Sequence, residues 1–184
     1  PPRSTLFPYT TLFRSHEVFK EISYGLYVVT SKDGEKGNGQ IVNTVLQVTS
    51  DPPKFAVIVN RKNLTHDYIL RSGVFGVSVL SQDAPMTFIG LFGFKSGRDV
   101  DKLAKTSFIK GITGCPLVTE HALGILECNV VNFLGVGTHT IFVGEVVQSQ
   151  VLGSGRPLTY EYYHIHLKGK TAQNAPTYIA GKKS

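Results

Sequence analysis

QIVNTVLQVTSDPPKFAVIVNRKNLTHDYILRSGVFGVSVL, residues 40–80, holds the elements from which the fold can be read. Residues 40–50 are extended, with amides and hydroxyls interspersed among β-branched side chains. Pro52-Pro53 stops this run and keeps Asp51 out of the helical region. Residues 54–60, KFAVIVN, are almost wholly apolar, so they predict a buried strand. Residues 63–73 predict a helix that Asn63 or Thr65 can cap and Gly73 can end. Residues 74–80, VFGVSVL, predict another buried strand. Strands this close together, with only a short helix between them, do not suit a parallel sheet.

The flanking sequence extends the pattern. Upstream, 16–23 predicts a short opening helix with Val18, Phe19 and Ile22 on one face, 24–30 a strand, and 31–39 a turn. Downstream, 83–93 predicts a helix with an Asp83 cap, Pro85 in its first turn and Gly93 at its end. Residues 99–105 predict a third helical turn. Residues 122–137 and 139–152 predict a long hairpin, and 158–167 an aromatic segment read as extended. Six or so strands with three small helices predict a mainly β chain, built as a compact antiparallel barrel. No internal repeat or second domain is evident.

Composition narrows the function classes. The chain has 184 residues, 41% of them hydrophobic, and a formal net charge of +6. That charge lies at the ends, on Arg3, Arg14, Lys168, Lys170, Lys182 and Lys183. Between 16 and 167, the 13 Lys and Arg balance the 13 Asp and Glu, so a nucleic-acid partner is not expected. No apolar run is long enough to cross a bilayer, so no membrane role is expected. Cys115 and Cys128 have no metal-site spacing and read as free, buried thiols of a cytoplasmic protein. His164 and His166 would share one face of a strand, but no third metal ligand accompanies them. No metal is expected.

The opening residues 1–15 repeat Thr-Leu-Phe and read like translated sequencing-adapter DNA, so they are expected to be a non-native extension. The domain is expected over 16–167, followed by a C-terminal arm over 168–184. No CxxC follows, so a fused rubredoxin domain is not expected.

Two stretches carry chemistry. Asn43, Thr44, Gln47, Thr49 and Ser50 could meet the carbonyls and ring nitrogens of a planar heterocycle. Taken alone, they read better as the polar outward face of an edge strand. Residues 60–66, NRKNLTH, lie at a helix N-terminus where free N–H groups would hold a phosphate. An ordinary capping segment with solvated charges explains them equally well. No dinucleotide or P-loop glycine motif is present.

Together, in this order and spacing, the stretches resemble the flavin reductase-like domain. The resemblance continues through 85–103, 114–128, 136–146 and 158–170. Within that family the chain looks most like the ferric reductase, flavoredoxin and NAD(P)H:flavin oxidoreductase branch. The resemblance implies a split β-barrel that binds FMN at a homodimer interface and takes electrons from NADH or NADPH. It passes them to a small acceptor, such as free flavin or a ferric chelate, or to a separate redox protein such as rubredoxin. It places Asn43, Thr44, Gln47, Thr49 and Ser50 along the ring and ribityl chain, and Asn60, Lys62, Asn63, Thr65 and His66 around the phosphate. It brings Phe92, Phe94 and Lys95 to the ring and puts His139, Tyr160 and Tyr163 on the nicotinamide face. Flavin N5 carries the chemistry, so no catalytic side chain is expected. Tyr160, Tyr162 and Tyr163 are expected to pack at the dimer interface. A non-catalytic FMN electron carrier, or a pyridoxamine-phosphate-oxidase-like or haem-handling split barrel, are the alternatives.

Overall fold

The computed structural model describes residues 18, 19 and 21–178. The adapter-like opening, residues 16, 17 and 20 of the expected first helix, and the last six residues of the arm lie outside that range. Val18 and Phe19 lie in a 3-10 turn and residues 21–22 in a bend.

Seven strands form one antiparallel sheet: β1 Tyr27–Asp33, β2 Lys36–Val42, β3 Val45–Ser50, β4 Pro53–Asn60, β5 Val74–Leu80, β8 Ala122–Val136 and β9 His139–Val151. Two short strands, β6 Phe108–Lys110 and β7 Pro116–Val118, pair separately. The helices are α1 Leu64–Ser72, α2 Met86–Phe94 and α3 Tyr160–Ile165, with a further 3-10 turn at Leu103–Lys105. Among the described residues, no helix is long and apolar enough to cross a membrane.

The sheet order, β2-β1-β5-β8-β9-β4-β3, places β2 and β3 at opposite edges. Yet only Asn43 and Thr44 separate Val42 from Val45. Three residue steps span about 10 Å, so the sheet must curl until its edges nearly meet. The Ile58 amide of β4 donates to the Thr44 carbonyl at 3.2 Å, so this connecting residue continues the β3–β4 ladder. The β2 and β3 edges do not pair with each other, so the barrel is split along this seam.

Several sequence expectations are corrected here. The turn over 31–39 shrinks to Gly34 and Glu35, because residues 31–33 and 36–39 pair as a hairpin. Residues 40–50 are two strands rather than one. α2 begins after Pro85, not at Asp83, and Asn63 occupies the α1 N-cap position without a side-chain cap bond. Gly73 ends α1 as expected, at φ 68°, with its N–H bound to the Ile69 carbonyl. Residues 160–165 are helical, so His164 and His166 do not share a strand face. His164 Nδ1 contacts the Gly169 carbonyl at 2.8 Å, and His166 stacks on Tyr162.

The strand pair β6–β7 went unseen because each strand has only three residues. The loop between them is pinned from below by fully buried Glu127, whose carboxylate accepts from the Ile112 and Thr113 amides at 2.7 and 3.1 Å. A buried carboxylate is tolerated only when it is hydrogen-bonded this way.

Two apolar clusters fill the molecule. Val29, Val57, Val59, Ile69, Phe75, Val77 and Phe142 form one, under α1. Leu26, Val28, Leu80, Phe88, Ile89, Phe92, Leu158 and Tyr163 belong to the other, where α2 and α3 close on the sheet. Burying a side chain such as Phe75 stabilises the fold by about 2–3 kcal/mol. Contrary to the dimer-interface expectation, Tyr163 is buried within its own chain at 3% exposure, and Tyr160 and Tyr162 pack against the same cluster. Cys115 and Cys128 are free and buried, and burial pushes both thiols up to about 12.

Candidate functional site

A cavity of about 420 Å³ opens where the second cluster meets the split edge of the sheet. This lies within the range of small-molecule sites, about 300–1,000 Å³. β2 supplies its floor, because alternation along the strand turns Asn38 and Gln40 toward it while Gly37 and Gly39 give α2 and the 3-10 turn room to pack. The chain then crosses the seam at Asn43, which also lines the cavity. The β4–α1 junction adds Asn60, Lys62 and Asn63, and the end of α2 adds Phe92, Phe94, Lys95, Ser96, Gly97 and Arg98. Gly97 is required by close approach, since a Cβ there would lie 2.1 Å from Asn38 Oδ1.

Among the described residues, no Asp or Glu lines this cavity, whereas Lys62, Lys95, Arg98, Lys102 and Lys170 do. Arg98 is partly spoken for: it donates to Asp67 at 2.9 Å and to the Lys62 carbonyl at 3.2 Å. Lys102 is 4% exposed, and its Nζ donates to the Gly39 carbonyl at 2.8 Å and lies 3.5 Å from the Phe92 carbonyl. Burial lowers its pKa to about 8. Gln40 is also buried, and its Oε1 has no hydrogen-bond partner. An orphaned acceptor of this kind has a cost that a ligand N–H would remove. The cavity is therefore built for a ligand that brings negative charge and at least one polar edge.

The residues named from sequence divide into two groups. Asn43, Asn60, Lys62, Asn63, Phe92, Phe94, Lys95, Tyr160 and Tyr163 line the cavity. Thr44 stands beside it at the seam and donates to Asn43 Oδ1 at 3.0 Å. His139 lies just outside, 3.4 Å from Asn60 Nδ2. Gln47, Thr49 and Ser50 are exposed on β3 and do not line it. Thr65 and His66 are buried behind it. Thr65 accepts from Asn38 at 2.9 Å, and His66 contacts Thr140 at 2.9 Å and packs on Phe142. Burial lowers the His66 pKa, and neighbouring Asp67 partly opposes the shift.

Sequence reasoning missed Asn38, Gln40, Arg98 and Lys102. Asn38 lay in a presumed turn, and Gln40 began the stretch read as extended but was not singled out. The signal for Arg98 and Lys102 was present in SGRDVDK, as cations on a segment that had to fold back over the sheet.

It also missed the arm. Residues 170–176 form one wall of the cavity. Asn43 donates to Thr177 Oγ1 at 3.0 Å, Asn60 to the Asn174 carbonyl at 3.3 Å, and Asn174 to Asn63 Oδ1 at 2.9 Å. The Tyr160 hydroxyl lies 2.7 Å from Thr171 Oγ1 and 2.9 Å from Thr177 Oγ1, so one phenol holds both ends of the loop.

Comparison with known proteins gives this geometry a context. The model of the flavin reductase like domain matches residues 19–169. The ferric-chelate reductase (NAD(P)H) of Archaeoglobus fulgidus is 48% identical over 90% of this chain and 98% of its own length. The high molecular weight rubredoxin of Moorella thermoacetica is 44% identical over 88% of this chain and 71% of its own length. Among solved structures, the NADH:FAD oxidoreductase of Streptomyces globisporus C-1027 superposes with a TM-score of 0.71, at 25% identity, over 83% of this chain and 93% of that one.

Proposed function

Because this chain belongs to the flavin reductase-like domain family, we propose that its cavity binds FMN and that it works as an NAD(P)H:flavin oxidoreductase. One observation carries the assignment of the site: a cation-lined cavity without a carboxylate, holding an unpartnered Gln40 acceptor. FMN brings a phosphate for the cations and a ring N–H for the acceptor. When bound, a flavin supplies the two-electron chemistry that takes hydride from a nicotinamide and passes electrons on singly or in pairs.

The chain's own groups bind and orient. Asn60, Lys62, Asn63, Ser96 and Arg98 surround the position proposed for the phosphate, at the α1 N-terminus. Asn43, Gln40 and Phe92 would face the ring, and Lys102 supplies a positive charge beneath it. Phe94, 51% exposed, lines the cavity where a nicotinamide would approach in this reading. His139, Tyr160 and Tyr163 remain the proposed frame of the nicotinamide face. None of these groups must act as an acid or a base. Two relatives are named a ferric-chelate reductase (NAD(P)H) and a high molecular weight rubredoxin, which supports a redox partner as acceptor, either a small molecule or a separate protein.

We also propose a homodimer. Leu46 and Val48 of β3, with Val131, Phe133, Leu134 and Val136 of β8, are each between 44 and 62% exposed. An apolar set this large on sheet strands marks an interaction surface. Gln47, Thr49 and Ser50 share that edge, so in this reading they meet the flavin only once a second copy is present.

The test is the visible spectrum of the purified chain, followed by chromatography of the flavin released on denaturation. FMN as the main species is the expected result. Mostly FAD would overturn the phosphate assignment, and a colourless protein that takes up neither flavin would overturn the reading. Bleaching by NADH or NADPH, followed by turnover with a ferric chelate, separates a reductase from a passive electron carrier.

A further inference from the structure

The arm after α3 has no strand or helix, and none of its described residues is buried. Such a segment would ordinarily be a solvated tail. Here it returns across the cavity, and the groups that hold it belong to the site: Asn43, Asn60, Asn63, Tyr160 and His139, whose Nε2 lies 3.1 Å from the Asn174 carbonyl. Its start is fixed to the body by the Tyr163 hydroxyl, which donates to the Lys170 carbonyl at 2.9 Å. The residues matched by the family model end at 169, immediately before the wall begins.

We infer that residues 170–178 are a retaining wall of the flavin site, and that the opening of this arm sets how fast flavin leaves. This rests on the flavin reading of the cavity. Three features support it. The cavity of about 420 Å³ persists with the arm in place, so the arm closes the site without plugging it. None of the arm's own described residues is buried, and the arm is held to the buried Asn43, Asn60 and Tyr163 by hydrogen bonds alone, so it can open without taking a core side chain with it. It also brings Lys170 to the cavity, adding a positive charge on the mobile side of the ligand. With the arm closed, flavin behaves as a resident cofactor. Electrons then leave through the nicotinamide face while the flavin stays bound.

The experiment uses the full chain loaded with FMN. After rapid dilution, the rise of free-flavin fluorescence gives the release rate. Thr177→Ala with Asn174→Ala removes the contacts to Asn43, Tyr160 and Asn63. Release should quicken at least about tenfold. Thr177→Ser keeps the hydroxyl and should release flavin within about twofold of the parent. A double variant that releases flavin at the parental rate overturns the inference, and so does a Ser variant as fast as the Ala one. A parent chain that holds no flavin overturns the flavin reading and this inference with it, which is a distinguishable outcome. An independent measurement uses the parent alone. FMN should slow tryptic cleavage at Lys168 and Lys170, and equal cleavage with and without FMN would count decisively against a closing wall.

Discussion

The two edge strands of the sheet, β2 and β3, are neighbours in sequence and opposites in environment. β2 is covered by its own chain: α2, the 3-10 turn and α1 all reach it, and three of its seven residues in a row are buried. β3 has five consecutive exposed residues, with nothing among the described residues covering its outer side. One edge has become the floor of a ligand cavity. The other remains bare, with apolar and polar side chains both facing outward. An uncovered strand edge invites pairing unless something caps it. The contrast teaches that the covered edge lines the cavity from within its own chain, and that the bare β3 edge is where the proposed second copy would sit.

The largest expected effect lies on the covered edge. Lys102→Glu would place a carboxylate in a cavity that has none. FMN affinity should fall more than about 100-fold, as expected for a like charge in a desolvated site. Parental affinity in a folded variant would show that the covered edge is not the anion site. Titration of apoprotein with FMN gives the answer, and circular dichroism checks the fold.

On the exposed apolar surface that includes the bare edge, Leu46→Glu of β3 together with Leu134→Glu of β8 should convert a dimer to a monomer. At least about tenfold weaker association is expected, because truncating apolar groups at the centre of an interface costs roughly 2 kcal/mol or more. Sedimentation velocity measures it. A parent chain that is already monomeric at full flavin occupancy would break the comparison outright.

A pH profile sharpens the role of Lys102. Its ligand-free pKa is lowered to about 8, and the negative charge of a bound FMN would raise it again. Binding should therefore take up a proton above pH 8, and affinity should fall as pH rises through that value. The stability sign follows from the same shift. The unfolded lysine titrates higher than the folded one, so burying the charge costs stability below about pH 8, and this cost is relieved as pH rises above it. Lys102→Met should flatten both profiles. Unchanged profiles in that variant would assign the proton to another group.

A smaller effect is expected from Gln47→Ala with Ser50→Ala. If a second copy brings the β3 edge to the flavin, affinity should fall by about three- to tenfold. A change below about 0.5 kcal/mol in both affinity and stability would mark these groups as ordinary solvated surface. Smallest of all is deletion of residues 1–15, which should leave the melting temperature within about 2 °C and flavin content unchanged. A large loss would show that the opening is a native element.

Much of the β framework was legible because strand period and punctuation agree. KFAVIVN and VFGVSVL have no other stable reading, and Gly73 ended its helix as its φ freedom allows. The hairpin of 31–39 was not legible, since SKDGEKGNG has a turn composition throughout. It pairs only because Val28 and Val29 bring β1 into the core and carry their neighbours with them. For the same reason the site was seen in part: Asn43, Asn60, Lys62 and Asn63 fell in recognisable polar stretches, whereas Asn38 was hidden in the supposed turn and Gln40 stood at its border.

By itself, the sequence determined the local elements, the family and the kind of ligand, since these depend on residue type and spacing along the chain. Only the tertiary structure decided which polar residues share a cavity and which face solvent. It alone showed that Lys102 is buried beside carbonyls, that Thr65 and His66 face the core, and that the arm returns to the site. These facts depend on contacts between residues up to 134 positions apart, such as Asn43 with Thr177. Such contacts are fixed by how the curled sheet brings its two edges together, and no local pattern in the sequence encodes that closure.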